Sequence, residues 1–273
     1  MKNSAESMHA FDNRSYIGSA AGRKRVHILS KILVRSSLSF FDRVHFDKNA
    51  NGLDIFCGDG TSTRNLSETL GPHNTIHGFD HDATNIRFAQ EKIAQHIPRL
   101  RFKLLKNDNW YAAKTYAFIY CRTFLNQSYP PAELFQKMYA SLQDNGTILL
   151  EYFDPSNFHC YPQNYAFERY LELYTSLKNI QKTRIESVGT LRTLLSQNRF
   201  QRIQIQQIAP AFLPEDCKQI SSLCLESIGP QLQEHQLITP TELQALLSEL
   251  KSFEKQKNTM ICLPGIYQVV GYK

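Results

Sequence analysis

The sequence lacks the patterns that mark metal-binding, disulfide-bonded and membrane-spanning proteins. Its six cysteines show no C-x-x-C spacing, and the nine histidines include no H-x-x-x-H pair on a clear helix beside carboxylates. The cysteines are Cys57, Cys121, Cys160, Cys217, Cys224 and Cys262. We therefore expect reduced, buried thiols and no bound metal. No apolar run reaches the length of a membrane span and the polar start is unlike a signal peptide, so we expect a cytoplasmic protein that enters no membrane.

The sequence also lacks a concentrated excess of one charge. The formal net charge is +6, from 31 basic and 25 acidic residues, and apart from Arg23-Lys24-Arg25 the basic residues are interleaved with acids and glutamines. This distribution does not predict nucleic-acid binding. Hydrophobic residues make up 42% of the 273 positions. A chain of this length is expected to form one large domain that buries about three quarters of its unfolded surface.

A glycine-containing turn stands between a predicted strand and a predicted helix. The apolar run Leu53–Phe56 ends at Gly58-x-Gly60, and Thr61 to Leu70 has the polarity and spacing of a helix. Glycine adopts positive φ at low cost and lets a ligand approach the backbone closely. A helix N-terminus offers free N–H groups and a partial positive charge. The turn is therefore predicted to hold a polar ligand such as a carboxylate or a phosphate.

The third glycine of a dinucleotide-binding fingerprint is missing, because Thr63 stands at its position. The next apolar run, Thr75–Phe79, ends on Asp80, about twenty residues after Gly58. A carboxylate at the end of a second parallel strand can accept hydrogen bonds from both hydroxyls of a ribose. A nucleoside-containing cofactor is therefore expected, with its identity left open by these residues alone.

Strands and helices alternate through the middle of the chain. Strands are predicted at about 52–56, 74–79, 100–105, 115–121 and 146–153, separated by helices at about 61–71, 83–97 and 131–142. This alternation indicates right-handed crossovers and a parallel, doubly wound sheet with helices on both faces. Ligands of such sheets bind at the carboxyl ends of the strands, where the strand order reverses.

The two ends of the chain carry further elements. Apolar residues at helical spacing between Val26 and Leu33 predict an N-terminal helix, and the alternation from Phe200 to Ile208 predicts a strand. Helices are expected at about 215–228 and 240–256, before a final apolar strand from Ile261 to Val270.

The motif Asp54-x-x-Cys57-Gly-Asp-Gly60, followed by Gly78-Phe-Asp80, resembles motif I and the next acidic motif of class I methyltransferases that depend on S-adenosyl-L-methionine (SAM). The resemblance implies an α/β, Rossmann-like, doubly wound seven-stranded sheet with an antiparallel final strand. It also implies a helical N-terminal segment and a helical insertion between strands six and seven. The expected organisation is a leader and lid at 1–45 and a methyltransferase domain at 46–273, with a substrate-side segment at 154–180 and the insertion at 212–258.

The same resemblance implies SAM as the cofactor and a set of residues that bind it. Asp108 follows strand three, where the family binds the adenine amino group, and Trp110 either walls the adenine or belongs to the core. Cys121 and Arg122 follow strand four, where family members line the methionine end. The expected cofactor residues are Asp54, Cys57, Gly58, Asp59, Gly60, Thr63, Asp80, His81, Asn107, Asp108, Asn109, Cys121 and Arg122.

The segment after strand five points to the substrate. Phe158-His-Cys-Tyr-Pro162, followed by Ala166-Phe-Glu-Arg-Tyr170, resembles an uncharacterised bacterial branch of small-molecule methyltransferases related to those of ubiquinone and menaquinone biosynthesis. Enzymes that methylate amino groups of bases carry an Asn/Asp-Pro-Pro-aromatic motif after strand four. This chain instead has Asp154-Pro155 after strand five, which disfavours a base substrate.

The expected substrate is a small, partly apolar metabolite in an enclosed cavity bordered by Tyr16, Arg122, His159 and Tyr161, with Phe158 also contributing. His159 is the best candidate for a general base if the acceptor needs one, since an unperturbed histidine has a pKa of about 6.5. Glu151 and Asp154 are alternatives as partners of a substrate cation. The aromatic side chains at 167, 170 and 174 recur at helical spacing, so core packing is the competing interpretation.

Two other classes of function remain open. The glycine turn and Asp80 also fit an NAD-dependent oxidoreductase, although Thr63 and the predicted terminal hairpin disfavour it. A catalytically silent SAM-binding protein with a scaffolding or regulatory role would keep the same cofactor residues. A homodimer is compatible with the sequence, which does not define the oligomeric state.

Overall fold

The computed structural model describes residues 19–47, 49–106, 110–122, 130–154, 158–180, 188–212 and 215–273. The strands are β1 (Asn51–Ile55), β2 (Thr75–Asp80), β3 (Leu100–Leu104), β4 (Tyr116–Arg122), β5 (Leu142–Asp154), β6 (His159–Tyr161), β7 (Gln201–Ile208), β8 (Ala211–Phe212), β9 (Met260–Cys262) and β10 (Gly265–Tyr272). The helices are α1 (Ala20–Phe41), α2 (Thr61–Leu70), α3 (Ala83–Ala89), α4 (Pro131–Ser141), α5 (Tyr165–Ile180), α6 (Val188–Gln197), α7 (Glu215–Lys218), α8 (Ile220–Glu234) and α9 (Pro240–Lys255). Among these helices of the described ranges, none combines the length and apolar character of a membrane span.

The main sheet has seven strands in the order β3-β2-β1-β4-β5-β10-β7. The strands β1 to β5 pair in parallel, whereas β10 runs antiparallel to both of its neighbours. The predicted Rossmann-like sheet, with an antiparallel final strand and helices inserted before it, is confirmed. The strand order reverses beside β1, where Ile55 pairs with Phe79 of β2 on one side and with Cys121 of β4 on the other. This reversal is where a ligand is expected.

The chain divides into two compact units. The first, here called the helical unit, comprises the described residues of Met1–Leu29, Phe158–Arg184 and Ala211–Cys262. The second, the sheet unit, comprises those of Ser30–Asn157, Ile185–Pro210 and Leu263–Lys273. The predicted division at residue 45 stays a prediction, because most of the leader lies outside the described residues.

Both faces of the main sheet are covered by apolar side chains. One face packs against Phe40 and Phe41 of α1 and Leu66 of α2, all of them buried. The other face packs against Phe135 of α4 and Leu195 of α6. Burial of both faces agrees with the near-continuous apolar runs of the central strands, as expected for a parallel sheet.

The helical unit contains a small sheet that the sequence does not predict. Its strand order is β6-β9-β8, and His159 lies opposite Cys262. The predicted single strand from Ile261 to Val270 is wrong in this respect, since it divides into β9 and β10, which belong to different sheets. Pro264 stands between them and has no N–H group for a ladder, while Leu263 donates its N–H to the carbonyl of Pro210 at 2.8 Å.

Two predicted helices are also divided. The helix predicted at 83–97 ends as an α-helix at Ala89 and continues as a π-helical turn over Gln90–Ala94. The helix predicted at 215–228 is two helices, α7 and α8, and α8 continues to Glu234. Periodicity predicts the apolar face of a helix better than its hydrogen-bonding pattern or its ends.

Candidate functional site

The turn after β1 has the backbone conformation that its glycines predict. Gly58 has φ +57° and Gly60 has φ +81°. A Cβ on Gly60 would lie 2.8 Å from Cζ of Phe102 and 3.0 Å from Cβ of Ala89, so this glycine is needed for packing. A Cβ on Gly58 would meet no atom within 4 Å. Gly58 therefore faces open space, where a ligand can approach the backbone.

Asp80 holds this turn in place from the end of β2. One carboxylate oxygen accepts the N–H of Gly58 at 2.9 Å, and the other accepts the N–H of Asp82 at 2.9 Å. Burial raises the pKa of Asp80, and these two backbone hydrogen bonds oppose the rise. The side chain of Asn85 is a third donor to this carboxylate, which has about four lone-pair sites in all. Asp80 can therefore accept a ribose hydroxyl while it fixes the glycine turn.

Thr63, which stands at the position of the missing third glycine, is joined to Asp54 by a hydrogen bond. Thr63 Oγ1 donates to Asp54 Oδ2 at 2.7 Å, and Ser62 Oγ donates to the same oxygen at 3.1 Å. All three side chains are buried, so the first turn of α2 is tied to β1 by hydrogen bonds. Burial raises the pKa of Asp54 to about 7, although the Thr63 hydrogen bond and the charge of Arg122 oppose the rise.

This pKa predicts how the stability of the protein depends on pH. Because the folded-state pKa of Asp54 lies above the ordinary value of 3.8, its stabilising contribution is fully present below pH 3.8 and is lost as the pH rises through 7. At about 1.4 kcal/mol per pKa unit, the whole loss should be on the order of 4 kcal/mol, of which about 3 kcal/mol falls above pH 4.5. Asp54→Asn, which cannot ionise, should not show it. Urea unfolding of both proteins at about pH 4.5 and about pH 8 measures the difference, and an equal decline in both would contradict the assignment.

The other described residues that were predicted to bind the cofactor, Arg122 aside, have mainly local contacts. Asp59 accepts the N–H of Thr61 at 3.0 Å, at the start of α2. The ring of His81 stacks on that of Phe56, with 5.7 Å between centroids. Cys57 and Cys121 are buried, and burial raises the pKa of each thiol well above its ordinary value. Neither thiol is therefore a nucleophile at neutral pH.

Arg122 lies at the carboxyl end of β4 and donates from Nη2 to Ser30 Oγ of α1 at 3.2 Å. Burial alone would lower the pKa of Arg122, but Tyr120, Glu151, Asp54 and Asp59 raise it. The guanidinium therefore stays charged beside the glycine turn.

Four of the predicted site residues lie outside the described residues. They are Tyr16, Asn107, Asp108 and Asn109, and their roles stay predictions. Trp110 is fully buried in the core of the sheet unit, and its indole N–H has no hydrogen-bond partner among the described residues. Core packing, the second of its two predicted roles, is confirmed for Trp110.

The predicted substrate residues belong to the helical unit. His159 and Tyr161 are exposed on β6, and Tyr161 has 66% of its surface accessible. The Phe158 ring packs edge-on against Phe167 of α5, with 5.1 Å between centroids. Phe167 and Tyr170 are themselves buried, so the aromatic stripe of α5 serves as core, whatever else it does.

A cavity of about 440 Å³ also lies in the helical unit, and it contains none of the residues predicted to bind cofactor or substrate. It is lined by Ala20, Ala21, Lys24, Gln219, Ser222, Leu223, Glu226, Lys251, Glu254 and Lys255. Among the described residues, no group of three or more His, Cys, Asp or Glu side chains could hold a metal ion. None of the six cysteines, all of which are described, forms a disulfide; Cys160, Cys217 and Cys262 are half-buried rather than buried.

Sequence reasoning did not find the polar residues that surround Glu151. Glu151 is fully buried and accepts hydrogen bonds from Ser37, Tyr120 and Gln268. The suggestion that Glu151 contacts a substrate cation is therefore wrong, because its carboxylate is enclosed by protein donors. Two serines at positions 30 and 37, one above the other on α1, are the only sequence signal for this cluster, and they have no local motif.

The fold and the glycine turn together define a Rossmann-like protein, and its ligand site is expected at the carboxyl ends of β1, β2 and β4. A family model described as a methyltransferase domain matches residues 25–205, more than half of the chain. The chain belongs to this methyltransferase family.

Solved structures of methyltransferases share the fold. Phosphoethanolamine N-methyltransferase 2 from Haemonchus contortus, in complex with phosphomonomethylethanolamine and S-adenosylhomocysteine, has a TM-score of 0.60 and 13% identity over 95% of this chain and 59% of that one. A putative methyltransferase from Bacillus halodurans C-125 has a TM-score of 0.58 and 15% identity over 88% of this chain and 99% of that one.

A third similar structure is the geranyl diphosphate C-methyltransferase from Streptomyces coelicolor A3(2), in complex with Mg²⁺, geranyl diphosphate and S-adenosyl-L-homocysteine. It has a TM-score of 0.54 and 11% identity over 90% of this chain and 80% of that one. This chain spans 59% of the length of the Haemonchus protein. No curated protein matches the sequence.

Proposed function

We propose that this protein is a SAM-dependent methyltransferase that transfers a methyl group to a small, partly apolar metabolite. The observation that carries the proposal is the pair formed by Gly58 and Asp80. A carboxylate joined to the backbone of a glycine turn, beside open space at the reversal of the strand order, is arranged to receive a ribose.

The proposed cofactor site follows the predicted residues. Asp80 accepts the ribose hydroxyls, Gly58 lets the cofactor lie against the backbone, and the segment 107–109 contacts the adenine. SAM carries its methyl on a sulfonium that is already a good leaving group, so the protein mainly has to align the acceptor and exclude water. His159 stays the proposed base for an acceptor that must lose a proton, and Tyr16, Phe158 and Tyr161 stay proposed substrate contacts.

A nicotinamide cofactor is the less favoured reading of the same site. In the dinucleotide fingerprint the third glycine lets the helix pack closely on the strand. Here Thr63 is joined to Asp54 by a hydrogen bond of 2.7 Å. The similar structures are methyltransferases, and two of them hold S-adenosylhomocysteine.

A small substrate is supported by the absence of a concentrated basic stretch and by the small molecules bound in similar structures, phosphomonomethylethanolamine and geranyl diphosphate. We extend the proposal to the branch related to ubiquinone and menaquinone biosynthesis, to a bacterial and cytoplasmic setting, and to a protein without nucleic-acid or membrane partners. A homodimer stays a prediction.

Calorimetry tests the cofactor. We expect SAM and S-adenosylhomocysteine to bind with micromolar affinity and NAD to give no heat. Binding of NAD without binding of either sulfur compound would overturn the proposal. Turnover is tested by release of S-adenosylhomocysteine after addition of a low-molecular-weight cell extract, with the macromolecular fraction as the control. Cofactor binding without release in either fraction would favour the silent SAM-binding protein.

A further inference from the structure

The cavity in the helical unit has a volume of about 440 Å³, and pockets for small molecules usually have volumes of about 300–1,000 Å³. Its lining comes from the start of α1, from α8 with the residue before it, and from the C-terminal end of α9. Such pockets combine apolar walls with a few fixed polar groups. The apolar part here includes Ala20, Ala21 and Leu223. The charged part of the lining indicates what the cavity can bind.

Glu254 is the buried charged residue of this lining, with 3% of its surface exposed. One carboxylate oxygen accepts the N–H of Ser222 at 3.1 Å, and the other accepts the Oγ–H of Ser222 at 2.9 Å. A carboxylate has about four lone-pair sites, so about two remain for another donor. Burial raises the pKa of Glu254 to about 7, although the Ser222 hydrogen bonds oppose the rise. The protein therefore stabilises the charge of this carboxylate only in part.

The charges of Lys251 and Lys218 also act on Glu254, but among the described residues neither lysine forms an ion pair with it. Lys218 is buried and donates from Nζ to Thr259 Oγ1 at 2.6 Å. The Nζ of Lys251 lies 3.6 Å from a carboxylate oxygen of Glu226. Because both ammonium groups are engaged elsewhere, the carboxylate of Glu254 can accept a cation from a ligand.

Exposed lysines complete the charged part of the lining. Lys24 of α1 and Lys255 of α9 have no hydrogen-bond or ion-pair partner among the described residues. The helix α5 also packs on α9, but its Arg169 pairs with Glu242, more than three helical turns before Glu254. Within the described ranges, the cavity therefore combines a carboxylate that lacks a cation with two ammonium groups that lack an anion.

We propose that this cavity binds a small zwitterion, an ω-amino acid, with its ammonium group on Glu254 and its carboxylate on Lys24 and Lys255. A simple anion would meet the carboxylates of Glu226 and Glu254, and a simple cation would meet three lysines. A molecule with both charges avoids both repulsions, and its apolar chain lies along the alanines of α1. None of these residues belongs to the proposed methyl-transfer site, so this ligand is additional to SAM and the methyl acceptor.

The proposal is tested by calorimetry with ω-amino acids of three chain lengths, 4-aminobutanoate, 6-aminohexanoate and 8-aminooctanoate. The alkanoate and the alkylamine of the same length, which each keep one charged end, are the matched controls. We expect at least one amino acid to bind with a dissociation constant below about 1 mM, and at least about tenfold more tightly than either control. Failure of all three amino acids to bind, or equally tight binding of a control compound, would overturn the proposal.

Substitutions test the two ends of the ligand separately. Lys24→Met and Lys255→Met should each weaken the tightest amino acid by about 3- to 10-fold, because its carboxylate loses one of two cations. Glu254→Gln should weaken it at least about tenfold at pH 8, because the ammonium group loses its charged acceptor. Lys257→Met, at an exposed lysine that does not line the cavity, is the matched control and should have no effect. If the lysine variants of the cavity bound like Lys257→Met, the carboxylate end would be misplaced.

The pH dependence of binding separates a direct role of Glu254 from a structural one. The ammonium group pairs with the ionised carboxylate, whose pKa is about 7, so the parent should bind up to about tenfold more tightly at pH 8 than at pH 6. No histidine is among the ten lining residues, and Glu254→Gln should bind equally at both pH values. A parent affinity that does not change with pH, or the same change in Glu254→Gln, would overturn the role of Glu254. If Glu254→Gln does not fold, the lysine variants and the pH dependence of the parent still test the proposal.

Discussion

Gly60→Ala should destabilise the protein by about 3–4 kcal/mol. Gly58→Ala should leave the fold intact and lower the affinity for the cofactor at least about 30-fold. Both glycines have positive φ, which costs another residue about 1–2 kcal/mol. At Gly60 the new Cβ also meets Phe102 and Ala89 at 2.8 and 3.0 Å, and overpacking adds about 1–3 kcal/mol. At Gly58 the methyl group would enter the space assigned to the cofactor.

Denaturant unfolding and calorimetry with S-adenosylhomocysteine measure the two effects. Gly71→Ala is the matched control, since Gly71 also has positive φ and open space around its Cβ position but lies at the far end of α2. Gly71→Ala should lower the stability of the protein without lowering its affinity for S-adenosylhomocysteine. If Gly58→Ala bound S-adenosylhomocysteine like the parent, the glycine turn would not contact the cofactor.

Asp80→Ala should weaken the binding of SAM by about 1.5–3 kcal/mol, roughly 10- to 150-fold in affinity, because the ribose hydroxyls lose a charged acceptor. The N–H groups of Gly58 and Asp82 lose the same acceptor, so we also expect a loss of stability of about 1–2 kcal/mol. Asp80→Asn keeps one acceptor oxygen, so it should lose less stability than Asp80→Ala. It should still lose most of the affinity for SAM that Asp80→Ala loses.

Asp82→Ala is the control for this prediction. Asp82 caps α3 by accepting the N–H groups of Thr84 and Asn85, so its removal should cost about 1 kcal/mol of stability and little affinity. Calorimetry of the three variants with SAM measures whether Asp80 contributes to cofactor binding. Equal affinity of Asp80→Ala and Asp82→Ala would show that the ribose lies elsewhere.

The parts of the site that were predictable are those determined by short stretches of sequence. Gly58 and Gly60 end an apolar run and precede a helical pattern, and Asp80 ends the next apolar run. Each of these signals depends on neighbours in the chain, and parallel strands bring the ends of consecutive strands to one edge of the sheet. The alternation of strands and helices predicted that edge, and the observed strand order confirms it.

The buried polar side chains around Glu151 were not predictable in the same way. Ser37 and Glu151 are 114 positions apart, and Gln268 and Glu151 are 117 positions apart. A buried serine on an amphipathic helix has the same local signature as an exposed one, so only the folded arrangement distinguishes them. The strands β6, β8 and β9 were missed for a related reason, since two or three residues are too few to show a period.

The strand order has a consequence for how the chain is made. β7 lies at the edge of the main sheet and pairs with β10, yet α7, α8, α9 and β9 come between them in the sequence. On the ribosome, β7 therefore emerges long before the strand it pairs with. Both of its backbone edges lack their partner in the main sheet during that interval, and unpaired edges associate with other chains. A pause in translation within the insertion would prolong this aggregation-prone stage, and the arrival of β10 shortens it by pairing one of the two edges.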